Sequence, residues 1–514
     1  MPNYKDPEVI RPPLTFKGPL LWIHHDANNV KSLPNRHRVC SHIQGHYRPW
    51  KRNENNKVLR ASAKIPRDEE LEDRPLSPTT IMAKGNSDPF GVLAVKIGPE
   101  ENDLISFYRD IFIPAQYQVQ LQMPNVANLR ASDWEDCRSG LQHVGIAHGS
   151  LARYGRMVER FTPAFHKVTM EHYCQSTHIL LKEVMRGQLL QDHDTYFHIT
   201  MLFSSEVIAR NLSSALTHGK ILRHMFEEAW KLGTLSYKLL LYQLYNDAQL
   251  MAMFHVRPIW DPFEWLPTVF APVWALAAPH LPPIDHTVNN IDPSITGALA
   301  KYLVDLRKVW AIVLAIQKQE GHAASQIPAV MAYILSKGYI VAGRVTSLYV
   351  DVTQRLQSRE LSNALRSELL VQQYITLAIK YHTKALSADP KIFSVPVFDA
   401  RGSSLRVLRT SLYTSSQLSN DPYRTRNMNA RLWALYVGAM SEHSFPNLSI
   451  DPHKAWFNTH LASQATAMGL CSWQAVEHVL RGFFYIEWMP PHGSTWFEDT
   501  LKVYLESELL PVSR

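Results

Sequence analysis

Cysteine is scarce. Four occur in 514 residues, at Cys40, Cys137, Cys174 and Cys471, and no two lie close together. That spacing excludes a disulfide framework and fits a reducing compartment. It also excludes a two-zinc fungal cluster, which needs more cysteines than the chain holds. A Cys₂His₂ finger fails too, because Cys40 has no cysteine partner a few residues away. Long apolar runs are equally rare. The longest, LPTVFAPVWALAAPHLPPI (266–284), is interrupted by five prolines. VWAIVLAI (309–316) falls far short of the ~20 apolar residues that span a bilayer. The opening residues, MPNYKDPEVIRPP, hold no apolar core of signal-peptide length. The expectation is a soluble intracellular protein with no membrane partner.

Motifs of chemistry are missing as well. There is no G-x-x-x-x-G-K-[ST], no G-x-G-x-x-G, no H-E-x-x-H and no G-x-S-x-G. His148 and Ser150 lie close in sequence, but near neighbours on one helix point apart and form no nucleophile–base pair. His42/His46 and His193/His198 lack acidic companions at ligand spacing, and Glu227/Glu228 read as a solvated helix face. The sequence therefore predicts no catalytic residue, no metal ligand and no cofactor, and the chain is not read as an enzyme.

What is present is a confined block of positive charge. Residues 31–64 carry nine Lys/Arg against Glu54 alone, whereas everything after residue 84 nearly balances, with 38 basic and 37 acidic residues. The stretch RHRVCSHIQGHYRPWKR (36–52) is its densest part. Cys40, His42 and His46 face one ion only if that stretch is helical, and a fourth ligand is missing. A basic arm is the better reading. Its candidate contact residues, for nuclear import or for backbone phosphates, are Arg36, Arg38, Arg48, Lys51, Arg52, Lys57, Arg60 and Lys64. An acidic segment, RDEELED (67–73), follows. Residues 1–86, punctuated by Pro and Gly with little apolar periodicity, are predicted to be a disordered N-terminal region.

From residue 87 the pattern becomes helical. Pro99 with Glu100 and Glu101 marks a helix start, and Leu104, Tyr108, Ile111 and Phe112 recur at helical spacing. Thr162-Pro163 starts another helix, with Phe165, Val168, Tyr173, Ile179, Leu180 and Val184 as its apolar stripe and Gly187 as its end. Further periods run over about 194–217, 219–232, 236–254, 294–320, 328–357, 359–387, 426–441 and 451–484, with the proline-dense 257–293 read as a connection between two halves. Alternating Val/Ile/Thr runs are nearly absent. The expected fold is all-α, a large multi-helix bundle of about a dozen helices over 87–510 behind the basic arm. The tryptophans and tyrosines at helical spacing are expected to fill its core.

Three stretches together resemble the regulatory domain of fungal-specific transcription factors, the all-helical region usually linked to a Zn₂Cys₆ cluster. SDPFGVLAVKIGPEENDLISFYRDIFIPAQY (87–117) resembles that domain's opening, an Asp-Pro-Phe step leading to Phe-Tyr-Arg. RLWALYVGAMSE (431–442) resembles a late helix. KAWFNTHLASQATAMGLCSWQAVEHVLRGFFYIEW (454–488) resembles the closing pair. In that pair Gly469 suits a left-handed turn, Ser472 a cap, and Trp473, Val476, Val479, Leu480 and Phe483 a buried stripe. Residues 14–52 are similar to the N-terminal arm of a subgroup without the zinc cluster.

The resemblance implies a nuclear transcriptional regulator, and permits a role in a metabolic or secondary-metabolite biosynthetic gene cluster. Its partners would be other transcription factors or coregulators and a small-molecule effector, with weak non-specific DNA contact through the arm. The family's DNA-contacting residues have no counterpart here, so none is carried over. A helical scaffold or adaptor acting through protein partners is the alternative.

Overall fold

Helix α1 starts where local chemistry puts it. Glu101 reaches back to the backbone N–H of Gly98 at 2.8 Å, and Pro99 occupies the first turn, where its missing N–H costs nothing. The computed structural model describes residues 93–116, 129–159, 161–186, 193–318, 328–386, 400–417, 427–444, 455–485 and 493–509. Among them there are sixteen helices and no strand, so the all-α class holds with more helices than the dozen expected.

The first group is α1 (Pro99–Phe107, carried on by a π-helical turn Tyr108–Phe112 and Ile113–Gln116), α2 (Leu129–Gly140), α3 (Val144–Val158) and α4 (His166–Met185). Next come α5 (His193–Ile208), α6 (Leu212–Lys231), α7 (Tyr237–Phe254) and α8 (Trp265–Ala277). The remainder is α9 (Gly297–Lys318), α10 (Pro328–Leu356), α11 (Asn363–Leu386), α12 (Ala400–Gln417), α13 (Met428–Ser444), α14 (Trp456–Ala467), α15 (Trp473–Leu480) and α16 (Gly493–Leu509).

Three adjoining apolar clusters form the core. One lies among α1 to α3 and the start of α4, the second among α5 to α8, and the largest among α9 to α16. Helix α10, about 44 Å long at 1.5 Å per residue, joins the last two. Its Tyr339 and Ile340 belong to the second cluster, and Val341, Val345 and Tyr349 to the largest. Helix α13 is buried on every side, from Ala430 through Trp433 and Tyr436 to Met440, with Arg431 only half-buried. A helix apolar all round belongs in the middle of a large core, and α13 sits there. Its Gly438 lies against the Phe457 ring of α14, where any Cβ would overlap the ring.

Two boundaries depart from the periodicity. The helix expected over 194–217 ends at Ile208, where Arg210 takes a left-handed turn at φ 60° and Asn211 caps the next helix. The break expected at residue 218 is not there. In fact Gly219 lies inside α6, with Ile259 packed where a side chain would stand. The stretch 257–293 is more than a connection. It contains α8, which tolerates Pro272 and buries Leu266, Val269, Phe270, Val273 and Ala277.

The closing pair forms as an αα-hairpin. Leu470 N–H donates to the carbonyl of Ala465 at 2.9 Å and Gly469 N–H to that of Thr466 at 3.0 Å, the Schellman pattern, with Gly469 at φ 70°. Ser472 then accepts from Ala475 N–H at 3.3 Å. Trp473, Val476, Leu480 and Phe483 are buried, and Val479 is half-buried.

Candidate functional site

The eight basic residues predicted as the arm, Arg36, Arg38, Arg48, Lys51, Arg52, Lys57, Arg60 and Lys64, lie outside the described residues, as do Cys40, His42, His46 and the acidic segment 67–73. The described body offers two buried polar constellations and one groove.

The first constellation is a seam between α3, α4 and α5. Helix α3 carries Gly145 and Gly149 one turn apart and Gly155 further along, so its neighbours approach its backbone closely. A Cβ on Gly145 would collide with the His198 ring, and one on Gly155 with Thr169. What α4 presents to this face is polar. Thr169, His172 and Ser176 are buried, while Ile179 and Leu180 are half-buried and Val184 is exposed. The apolar stripe expected over the second half of α4 is therefore absent. Side chains that fit against a glycine face are short or hydrogen-bonding, not bulky and branched.

Glu101 organises one end of the seam. His172 Nε2 donates to its Oε1 at 3.3 Å, and His172 Nδ1 lies 2.8 Å from His148 Nδ1. The carboxylate takes the Nε2–H of His172, and the two facing Nδ1 atoms of His172 and His148 share one hydrogen bond. One turn on, Ser176 donates to the Gly145 carbonyl at 3.2 Å and His198 Nε2 lies 2.8 Å away. Because the serine proton is spent on the carbonyl, His198 donates to Ser176 rather than drawing its proton. Ser176 is 0% exposed and His198 3%. The pair has the wrong polarity for a nucleophile and its base, and no surface for a substrate.

Burial shapes the protonation of this seam. Burial pushes His198 down to about 4, helped by repulsion from His148 and His218 and opposed by the bond to Ser176. Burial and the neighbouring His172 push His148 down to about 4. In the largest core, burial alone pushes His382 down to about 3. His382 is wholly buried beside Trp433 and Phe484, and neither ring nitrogen has a hydrogen-bond partner.

These shifts dictate a pH dependence. A histidine whose folded pKa is depressed takes up its proton more readily when unfolded, so its stability contribution is complete above pH 6.5 and lost as pH falls toward 4. Asp247 acts oppositely. Burial raises it to about 7 against the hydroxyl of Tyr339 and the backbone N–H groups of Ile259 and Trp260, so it costs stability as pH rises from 4 to 7. Three histidines outweigh one carboxyl. The urea midpoint is expected to fall steadily below pH 6.5, and His382→Phe, which fits an aromatic site and removes two unpartnered nitrogens, should flatten that fall. A midpoint unchanged from pH 7 to pH 4.5 would contradict the assignment.

The second constellation centres on Arg153 of α3, 2% exposed. Its Nε donates to Ser204 Oγ at 2.8 Å and its Nη1 to the Tyr108 hydroxyl at 2.9 Å. Tyr108 in turn donates toward Asp133, at 3.3 and 3.4 Å from its two oxygens. The guanidinium also lies over the Tyr108 and Phe112 rings, with centroids 5.1 and 5.6 Å away. The π-helical turn brings Tyr108 and Phe112 to one side, stacked at 5.2 Å. Arg153 thus ties α1, α2, α3 and α5 together, with Tyr108 drawn from the Phe-Tyr-Arg step.

The groove lies between α11 and α12. It has a volume of about 260 Å³ and is lined by Leu370, Gln373, Arg406, Val407, Thr410, Ser411 and Thr414. Gln373 is held from both sides. It donates to Thr353 Oγ1 of α10 at 3.1 Å and accepts from Ser411 at 2.9 Å.

Sequence reasoning missed both polar constellations, because the true partners come from other helices. It weighed His148 with Ser150 and His193 with His198 and dismissed both, whereas His148 meets His172 and His198 meets Ser176. The usable signals were the Gly145/Gly149 spacing and the matching His172/Ser176 spacing one helix later. No family model, curated protein or solved structure matches the chain.

Proposed function

We propose that the chain is a nuclear transcriptional regulator that has no zinc-cluster DNA-reading module among its cysteines and works through partner proteins. The observation that carries this reading is the order of three stretches along the chain, 87–117, 431–442 and 454–488, each similar to a part of one regulatory domain. Their described parts fall on α1, α13 and the α14–α15 hairpin of an all-helical body. The block of nine basic residues over 31–64 adds to it, since a segment of that charge suits an import receptor or a phosphate backbone. Its expected partners are other transcription factors or coregulators. Its expected targets are genes of a metabolic or secondary-metabolite cluster.

The scarcity of cysteine favours a second reading. A helical body whose cysteines are too few for a zinc cluster can act as an adaptor outside the nucleus, holding partners together without touching transcription. Transcript profiling after deletion separates the two. The regulatory reading expects a small set of genes to change together, concentrated in one pathway. Scattered changes, or none, would favour the adaptor.

A further inference from the structure

We infer that the groove between α11 and α12 is a binding site for a small aliphatic carboxylate, with Arg406 as the residue that receives the carboxyl group. Three observations converge on this.

The first is surplus donors. The Thr410 hydroxyl is committed to the Arg406 carbonyl at 2.9 Å, Ser411 to Gln373, and Gln373 to Thr353. That leaves the guanidinium of Arg406 and the hydroxyl of Thr414, neither of which has a partner among the described residues. Most arginines among the described residues are committed elsewhere. Arg109, Arg138, Arg156, Arg223, Arg257 and Arg481 hold carboxylates, Arg307 and Arg431 hold carbonyls, and Arg409 lies over Trp456. Arg406 is an exception, and it stands at a cavity.

The second is placement. Arg406, Thr410 and Thr414 follow one another at i, i+4 and i+8 and so form one wall. Val407 and Ser411 form the row beside it, and Leu370 with Gln373 faces them from α11. Leu370 is buried and Val407 half-buried, so the floor is apolar beside a cationic wall. A carboxylate at Arg406 takes up a planar, two-pronged donor set, and an attached hydrocarbon covers the floor.

The third is size and rigidity. The groove, about 260 Å³ and open to solvent along one side, takes a short aliphatic acid with its carboxyl group at Arg406 and its chain over Leu370 and Val407. Gln373, tied to α10 and α12 together, fixes the width of the groove before any ligand enters, so little ordering is needed on binding.

The inference goes beyond the regulatory reading and is tested apart from it, by direct titration of the purified full-length chain. Hexanoate, hexanol and inorganic phosphate serve as probes in isothermal titration calorimetry. Hexanoate should bind with a dissociation constant of about a millimolar or tighter, and neither hexanol nor phosphate should match it. Arg406→Gln should weaken hexanoate at least about tenfold, and Thr414→Val by a smaller factor. Both variants should keep the wild-type unfolding midpoint, because the two side chains are exposed and unpaired. Absence of hexanoate heat up to tens of millimolar would overturn the inference. So would equal affinity in Arg406→Gln, or phosphate binding more tightly than hexanoate.

Discussion

Arg153→Met is expected to lower the stability of the helical body by about 3–5 kcal/mol, the cost of breaking a buried charged network by removing one partner. The magnitude follows from what the substitution strands. The replaced guanidinium donates to Tyr108 and Ser204 and compensates, through Tyr108, the buried carboxylate of Asp133. Methionine fills most of the volume but offers no donor, so hydroxyls and a carboxylate remain buried without their cation. Tyr108→Phe keeps the ring under the guanidinium and loses only the hydroxyl, so its cost should be about 1–3 kcal/mol. Because the two residues share one network, the double variant should cost less than the two single costs combined. Urea unfolding followed by far-ultraviolet circular dichroism reads all three. A loss under about 1 kcal/mol for Arg153→Met would mean that α1, α2, α3 and α5 are held together by apolar packing alone.

The second large effect concerns the basic block. Replacing Arg48, Lys51, Arg52, Lys57 and Arg60 with Ser removes five of the nine positive charges over 31–64. Nuclear accumulation of a fluorescent fusion is expected to fall sharply. Any DNA binding should weaken further with salt, because release of condensed counterions drives phosphate contact. The unfolding free energy of the body should stay within about 0.5 kcal/mol of wild type, the usual size for substitutions in a solvated segment such as the sequence predicts here. Should a chain lacking residues 1–84 still enter the nucleus and regulate its genes, a partner carries it there and the adaptor reading gains.

The parts of the fold that depend on neighbouring residues were legible in the sequence. Pro99 with Glu101, and Gly469 with Ser472, each mark a helix end by chemistry that acts over three or four residues, and each end lies where that chemistry put it. What failed depends on distant partners. Residue 218 reads as a break between two helices until Gly219 is seen inside α6 with Ile259 packed against it, and the prolines of 257–293 read as a connection until α8 is found docked on α10. The polar stripe of α4 is unreadable for the same reason. His172 and Ser176 are surface-like residue types, and only the glycine face of α3 makes them interior. The Arg153 network and the groove around Arg406 likewise join residues from several helices, with no spacing that announces them. The basic block was legible as charge, since composition alone defines it.

Chromatin immunoprecipitation of the tagged full-length chain tests the proposed action of this helical body on transcription. Occupancy should concentrate at the promoters of the genes whose transcripts change on deletion, and should be lost with the five-serine variant of the arm. A chain recovered wholly outside chromatin, with those transcripts unchanged by its deletion, would contradict the claim.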